Sequence, residues 1–526
     1  MLRRLAVIAL VLLMAAPLLS GMSFAQEEKV LVIGHAEATD SLDPAHGYNQ
    51  TTSIVLRATY QNLVQWPDQD ASKIIPMLAT EWSISDDGLT YTFKLRDDAV
   101  FASGNPLTAA DVVFSLLRVK NVQGNPSFLV ADIASATAVD DHTVTVTLNN
   151  VDPSFLAKMV FSAFSIVDSK VVMENGGTDA EDASTTDTAE AYLNNTSAGS
   201  GPYLLDHWDP QVETVLVRNP HYSGTPPYFD RVIITNIAEA ATQKISLEGG
   251  DIDLALDLTA DQASSLENNP EFGTDRGPSN YHHFLLMNRD PAIGGPMADP
   301  KVELAVRYAL DYDGYLALWG GVQPASDLAV GILGALGPNQ ALKRDLDKAR
   351  QLLADAGYPD GFEITLDYPD YTFQGVNMNT NAQKIQADLA EVGIKVDLNP
   401  AEVQVALEGY RSGTQAFAYW FWGPDFIDMA DFLSFLPGGK VGGTRANWTV
   451  ENADPAMVAL MDQAKVEIDQ AKRVDLYGQL QKMAQQDSAF APFNQPDVLA
   501  AWHVGLQGYI WHPCWILDVA LLSESQ

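Results

Sequence analysis

The sequence is very poor in cysteine and in basic residues. Cys514 is the single cysteine of 526 residues, so an intramolecular disulfide framework is excluded and we expect no lipid anchor near the N-terminus. Only 31 Lys and Arg stand against 68 Asp and Glu, a formal net charge of −37. Nucleic acid and anionic membranes favour basic patches, so we expect neither as a partner. Two explanations of the acidity stay open: solubility in a salty habitat, or a bias toward cationic ligands.

Long apolar runs are also missing, except at the N-terminus. Residues 5–19 are apolar, Arg3 and Arg4 precede them, and Ser23 and Ala25 flank Phe24 in a small-x-small pattern. This arrangement is typical of a secretory signal peptide, residues 1–25, cleaved after Ala25. The run is shorter than the roughly 18 to 20 apolar residues that a membrane span needs. The sequence therefore predicts a freely diffusing protein of the periplasm.

Common catalytic motifs are absent from the sequence as well. We find no HExxH zinc motif, no GxSxG nucleophile elbow and no phosphate-binding P-loop. The nine histidines are scattered along the chain. A secreted hydrolase is the alternative from the enzyme class, because catalytic groups can converge from distant positions. We expect a protein that is not an enzyme and needs no cofactor.

Clear signals of regular structure are present. Tyr91, Phe93 and Leu95 alternate with polar residues, which predicts a strand with one buried face. Thr108 stands three residues before Asp111, which predicts a capped helix start. After its predicted cleavage site the chain is long enough for two or three domains of roughly 100 to 200 residues each.

A strand–helix–strand pattern indicates the fold class. A strand begins at Phe362, a helix places Ile385 and Leu389 on one face, Gly393 ends that helix, and a second strand begins at Ile394. Two strands joined in this way are expected to be parallel. Mixed helices and strands of this kind predict an α/β architecture.

Several blocks resemble one family, the large bacterial ABC-transporter solute-binding proteins of family 5, which is the dipeptide, oligopeptide and nickel-binding group. The matching blocks are residues 78–118, 200–203 with 218–222, 299–311 and 419–433. The resemblance implies a two-lobed periplasmic-binding-protein fold with a hinge and an additional inserted small domain. It further implies a monomer that captures short peptides between its lobes and delivers them to a cognate ABC permease in the inner membrane. The alternative is a non-peptide solute, namely an oligosaccharide, an opine or a metal chelate.

The same resemblance predicts how the chain is divided. Lobe I is assembled from separate segments, the small domain is inserted into it, and lobe II follows. The expected bounds are residues 26–66, 200–285 and 489–526 for lobe I, 67–199 for the inserted domain and 286–488 for lobe II.

The aromatic and acidic segment 419–433 is the best candidate for the ligand site. By the resemblance, Asp425 occupies the position that pairs with the α-ammonium of a peptide, and Trp420 and Trp422 form apolar walls. An unpaired buried charge costs several kcal/mol, so these acids need cations or solvent. Asp428 and Asp431 are expected to cap a following helix.

Other candidates lie in regions that face the cleft in this family. They are Tyr48, Asn49, Tyr281, His283 and Asn494. Adjacent residues on a strand point to opposite faces, so His282 and His283 are not expected to chelate one metal ion. We interpret the late segment 508–515 as packing.

Overall fold

The computed structural model describes residues 28–373 and 376–525. The predicted signal peptide lies outside the described residues. Within the described ranges, every helix is too short or too polar for a membrane span.

A seven-stranded mixed sheet forms the first lobe. Its strands, in sheet order, are Phe272–Pro278, Asp497–His503, Leu254–Ala255, Val30–His35, Arg231–Asn236, Glu213–Arg218 and Tyr203–Asp209. The strand Val30–His35 runs parallel to both of its neighbours. Its buried Leu31 and Ile33 pack in one core with Ile54 and Val55 of the adjoining helix. The helices of this lobe are Gln50–Thr59, Ala240–Gly249 and Ala260–Leu266.

A four-stranded antiparallel sheet forms the small domain. Its strands are Ala79–Ile84, Thr90–Leu95, Thr143–Leu148 and Ile133–Asp140. Tyr91, Phe93 and Leu95 are buried, which confirms the predicted alternation. The Asp111 carboxylate accepts a hydrogen bond from the Thr108 backbone N–H at 2.8 Å, so the predicted helix start is confirmed. The helices here are Ala109–Val122, Asn125–Leu129, Phe155–Lys158, Ser162–Phe164, Ser169–Glu174, Ala183–Thr186 and Glu190–Leu193.

A five-stranded sheet forms the second lobe. Its strands, in sheet order, are Ile394–Ala401, Phe362–Pro369, Phe417–Trp422, His282–Met287 and Phe490–Asn494. The first two are parallel, as the strand–helix–strand pattern predicts. The helices are Pro291–Gly294, Gly295–Ala298, Pro300–Ala309, Tyr312–Trp319, Pro338–Gln340, Leu346–Asp355, Met378–Ala390, Val403–Arg411, Met429–Phe435, Pro455–Val466 and Gln470–Gln486.

Short elements complete the described chain. Three small strand pairs join Val64–Gln65 to Ile75–Pro76, Thr372–Phe373 to Val376–Asn377, and Leu506–Gln507 to Ser523–Glu524. A single 3₁₀ turn covers Val519–Leu521.

The strand composition of the two large sheets suggests different lobe boundaries from those expected. The strands His282–Met287 and Phe490–Asn494 both belong to the five-stranded sheet. The expected boundary at 285/286 falls inside the first of these strands, and the one at 488/489 precedes the second. We therefore propose that the chain passes between the lobes near residues 281 and 495.

The two chain passages are hydrogen-bonded to each other. The backbone N–H of Ser279 donates to the Pro496 carbonyl oxygen at 2.9 Å. Gln495 pairs with Val322 through two backbone hydrogen bonds of 2.9 Å, and its side chain donates to the Ser279 carbonyl. These contacts tie both passages into one connection beside the site.

Candidate functional site

A cavity of about 100 Å³ lies where the two lobes and the small domain meet. The first lobe contributes His35 and Asp257 to its wall, the small domain contributes Phe161, and the second lobe contributes Gly423 and Pro424. The cavity wall is therefore built from strand ends and loops of three separate units. Ligand sites commonly lie between domains in this way.

Three of the predicted site residues, Tyr48, Asn49 and Tyr281, line this cavity. The Asn49 side chain caps the helix that follows it, because its Oδ1 accepts from the Thr52 backbone N–H at 2.9 Å. Its Nδ2 donates to the Ala38 carbonyl. Both polar groups of Asn49 therefore hold the loop in place, and the residue shapes the wall.

Asp425 lies beside the cavity and bridges the two lobes. Its carboxylate is buried, with 6% of the residue exposed. One carboxylate oxygen accepts a hydrogen bond from the hydroxyl of Tyr48 in the first lobe. The other lies 3.4 Å from the Lys440 ammonium. Burial, and next the Asp425 charge, raise the pKa of Tyr48 well above its ordinary value, so the phenol stays a hydrogen-bond donor.

The ring of Tyr48 reaches the small domain as well. Its centroid lies 5.9 Å from that of Phe128 and 5.6 Å from that of Phe161. Tyr48 thus contacts all three units, and its position depends on how they are docked.

The three acids of segment 419–433 are accommodated in three different ways. Asp428 caps Met429–Phe435 by accepting from the Ala430 backbone N–H at 2.8 Å, and it forms a 2.5 Å ion pair with Arg473. Its predicted capping role is confirmed.

Asp431 is fully enclosed and does not cap the helix, so that prediction was wrong. Its side chain accepts hydrogen bonds from the Asp425 backbone N–H at 3.2 Å and from the Trp422 indole at 3.4 Å. Burial, together with the neighbouring Asp425 charge, raises the pKa of Asp431 well above its ordinary value. Asp431 therefore keeps its proton.

The two predicted apolar walls occupy different environments. Trp420 has 4% of its surface exposed and stacks on Tyr410 with ring centroids 4.3 Å apart. Its indole donates to Gln415 Oε1 at 3.0 Å. Trp420 therefore belongs to the packed interior of the second lobe and does not line the cavity.

Trp422 is half-buried and remains close to Asp425. Lys440 lies 5.6 Å and Arg445 5.3 Å from its ring centroid, which is within the range of cation–π contacts. The indole is held by Asp431, whose other oxygen holds the Asp425 backbone. Trp422 thus borders the acid without forming part of the cavity wall.

His283 and Asn494 lie opposite each other on neighbouring strands and away from the cavity. His283 shares a 2.7 Å hydrogen bond with the Tyr419 hydroxyl, and burial lowers its pKa to about 3, so it is neutral. Asn494 donates to the Gly320 carbonyl at 3.1 Å. His282 contacts Asp327 on the other face of the strand, which confirms that the adjacent histidines point apart.

The sequence did not identify several residues of the wall. His35 ends the strand Val30–His35, and Asp257 follows the parallel strand Leu254–Ala255. The carboxyl ends of parallel strands are where open α/β sheets bind ligands, so strand-end placement was the available signal. The segment 508–515, interpreted as packing, contributes Trp511, Pro513 and Cys514 to the wall.

Gly423 allows the wall to close over Tyr281. A Cβ placed on Gly423 would overlap the Tyr281 ring. Within the part of the chain that the structure describes, His, Cys, Asp and Glu side chains form no group of three or more that could hold a metal ion.

Comparison with known proteins adds independent findings. The sequence profile described as "Bacterial extracellular solute-binding proteins, family 5 Middle" matches residues 73–443. A probable D,D-dipeptide-binding periplasmic protein of Escherichia coli K12 is 29% identical over 92% of each chain. A glutathione-binding protein of the same strain is 26% identical over 94% of each chain.

Solved structures share the fold. A periplasmic binding protein of Helicobacter pylori in complex with the peptide STSA has a TM-score of 0.78 at 26% identity, over 95% of this chain and 99% of that one. A binding protein of A. tumefacien R10 in complex with agropinic acid has a TM-score of 0.77 at 22% identity, over 94% and 99%. The predicted two-lobed α/β fold is confirmed by these similarities.

Proposed function

We propose that this chain, which belongs to the bacterial extracellular solute-binding proteins of family 5, captures short peptides between its lobes and delivers them to a membrane permease. Relatives named for dipeptides and glutathione, and a structural neighbour that holds a peptide, support this ligand class. An oligosaccharide, an opine or a metal chelate is not favoured, since the neighbour holding agropinic acid is similar at the level of the fold alone.

The observation that carries the proposal is a buried carboxylate beside the cavity between the lobes. Asp425 is buried, whereas its cationic neighbour Lys440 is 44% exposed at the side chain and stays 3.4 Å away. An ion pair with such an exposed partner is weak. A ligand ammonium entering the enclosed cleft would interact with Asp425 more strongly, because the effective dielectric constant is lower there.

We assign Asp425 the role of ammonium acceptor, with Trp422 as its apolar border and Tyr48, Asn49 and Tyr281 as cavity wall. Trp420, His283 and Asn494 are left out of this site because they lie in the packed interior.

The proposed chemistry is sequestration without bond breaking. Closure of the lobes would surround the ligand backbone and leave space for water around its side chains, which tolerates varied sequences. In this role the protein acts in the periplasm as a monomer, after removal of its signal peptide, and its partner is an ABC permease of the inner membrane.

Substitution of Asp425 tests the assignment. Asp425→Asn removes the charge and keeps the shape, so a ligand ammonium would be left unpaired in a desolvated site. We expect binding of free-amine di- to tetrapeptides to weaken by about 2 to 5 kcal/mol, which is roughly 30-fold to several thousandfold. Isothermal titration calorimetry of the parent and the variant measures this change.

N-acetylated peptides and an exposed acid provide the controls. Binding of acetylated peptides should not respond to Asp425→Asn, because they carry no ammonium. Asp347→Asn changes a side chain that is 97% exposed and should leave all affinities unchanged. Equal affinity of the parent and Asp425→Asn for free-amine peptides would show that the ammonium binds elsewhere.

A further inference from the structure

We propose that His35, held by Asp257, binds the carboxylate end of the ligand and makes its recognition dependent on protonation of the imidazole. This inference rests on the proposed peptide binding. It assigns a specificity-determining role to a histidine of the first lobe, in the wall of a cavity that Gly423 and Pro424 of the second lobe also line.

The geometry of the His35 ring leaves one nitrogen for a ligand. His35 Nδ1 lies 2.6 Å from Asp257 Oδ2. Among the described residues, Nε2 has no hydrogen-bond partner, although His35 is only 2% exposed. A buried polar atom without a partner is costly, and His35 lines the cavity. A ligand oxygen at Nε2 would satisfy it.

Asp257 is itself firmly positioned. Its Oδ2 also accepts from the Ala36 backbone N–H at 2.7 Å and from Gln243 Nε2 at 3.2 Å, and its backbone N–H donates to Gln243 Oε1. The carboxylate therefore fixes the orientation of the His35 ring, since Nδ1 must face Asp257.

The charge of the wall makes His35 the residue available for an anionic group. Of the described residues that line the cavity, His35 is the only one with a basic side chain; neither Lys nor Arg lines it. A peptide carboxylate enclosed there would otherwise face only neutral groups and Asp257. Protonated His35 offers an N–H donor and compensates the charge.

Protonation changes what Nε2 offers. In the neutral ring Nδ1 keeps the proton that it donates to Asp257, so Nε2 is a hydrogen-bond acceptor and repels a carboxylate. In the protonated ring Nε2 becomes a donor. Affinity for a carboxylate end should therefore decline as pH rises through the pKa of His35.

The surroundings of His35 favour its protonated form. Burial alone would lower the pKa of His35, but the charges of Asp257 and, to a lesser degree, Glu37 raise it above the ordinary value. Tyr371 and Tyr509 also lie near the Asp257 charge. Burial together with neighbouring acids raises the pKa of both phenols, so neither adds a charge at neutral pH.

The test compares a dipeptide with its C-terminal amide. Isothermal titration calorimetry of both ligands from pH 5 to pH 9 gives a ratio of affinities in which the titration of their shared amino group largely cancels. We expect the parent to prefer the free carboxylate by about tenfold or more at low pH, and to lose this preference as pH rises.

Two variants separate recognition from structural support. His35→Gln retains an N–H donor but does not titrate, so the ratio should become independent of pH. Asp257→Asn removes the charge that raises the pKa of His35, so the loss of preference should move to lower pH. His142→Gln changes an exposed histidine and should reproduce the parent profile.

The outcomes distinguish this inference from the proposed function. Peptide binding with the same carboxylate preference and pH profile in the parent and His35→Gln would overturn the role of His35 alone. A parent that binds both ligands without preference at any pH would do the same. A parent that binds neither peptide would overturn the proposed function, and this inference with it.

Discussion

At the scale of single residues, Asp428 and Asp431 stand three positions apart, but of the two only Asp428 is paired with a cationic side chain among the described residues. Asp428 forms an ion pair with Arg473, whose side chain is 7% exposed. Asp431 accepts from a backbone N–H and an indole, and its raised pKa keeps it neutral. An uncharged amide can replace a neutral acid far better than it can replace one half of an ion pair.

We predict that Asp431→Asn lowers the free energy of unfolding by about 1 kcal/mol, because the amide nitrogen cannot accept and one of the two hydrogen bonds to this side chain is lost. Asp428→Asn lowers it by about 3 kcal/mol, because Arg473 loses its charged partner. Urea unfolding at pH 7, followed by circular dichroism, measures both. The prediction would be contradicted if Asp431→Asn were the more destabilising of the two.

The raised pKa of Asp431 also makes the stability of the folded protein depend on pH in a definite direction. The folded protein keeps this proton at pH values where the unfolded chain has lost it, so the folded state binds more protons. The contribution of Asp431 to stability is therefore complete below about pH 4 and declines as pH rises toward its folded pKa. Asp431→Asn lacks this decline, so its stability relative to the parent should improve from pH 4 to pH 8.

At this scale the sequence predicted residues whose role is local. The opposite orientations of His282 and His283 follow from strand geometry, and capping by Asp428 follows from its position before a helix. The neutral state of Asp431 does not follow from the sequence, because it depends on enclosure and on the distance to Asp425. Likewise, no local pattern distinguishes the buried Trp420 from the half-buried Trp422.

At the scale of elements, two glycines allow a pair of parallel strands to begin side by side. Gly361 precedes Phe362–Pro369 and Gly393 precedes Ile394–Ala401. Gly361 has a φ of +77°, and a Cβ there would overlap the Gly393 carbonyl oxygen. Backbone strain and steric overlap therefore coincide at Gly361.

We predict that Gly361→Ala lowers the free energy of unfolding by about 3 kcal/mol, from the left-handed backbone and from overpacking against a main-chain atom. Thermal and urea unfolding measure the loss.

Gly357→Ala is the matched control. Gly357 has a φ of +92°, but no atom lies within 4 Å of the added Cβ. Gly357→Ala should therefore lower the free energy of unfolding by only about 1 kcal/mol, from the left-handed backbone alone. Equal losses in the two variants would show that the contact between the glycines contributes nothing.

Strands and helices whose apolar residues lie on one face could be predicted from the sequence. Alternation located Thr90–Leu95, and apolar spacing with a final glycine located the strand–helix–strand unit. His282–Met287 is buried at every position, so periodicity gives no indication of which sheet it joins. The expected lobe boundary at 285/286, which was taken from the family resemblance, falls inside this strand.

At the scale of the whole molecule, the site is assembled from parts that are distant in sequence. Tyr48 and Asp425, which meet across the lobes, are 377 positions apart. The resemblance to a family predicted Asp425 from its local motif, but the pairing of its carboxylate with Tyr48 depends on how both lobes and the small domain dock. Physical reasoning from local patterns alone does not reach contacts of this kind.

Because Cys514 is the single cysteine and lines the cavity, the reactivity of its thiol can be used to follow separation of the two lobes. Cys514 lines the cavity, and burial raises the pKa of its thiol to about 12. Cys514 is half-buried. Only the thiolate reacts with disulfide reagents, so this thiol should react slowly, and separation of the lobes should both expose it further and restore its acidity.

We therefore predict that a saturating ligand slows the modification of Cys514 by a chromogenic disulfide. Because the chain has no other cysteine, the absorbance change follows this one position, and Cys514→Ser provides the blank. An unchanged rate on saturation would mean that the ligand does not alter access to the cavity. Ligand capture would thus be measured as a slower rate of Cys514 modification, with no label attached to the protein.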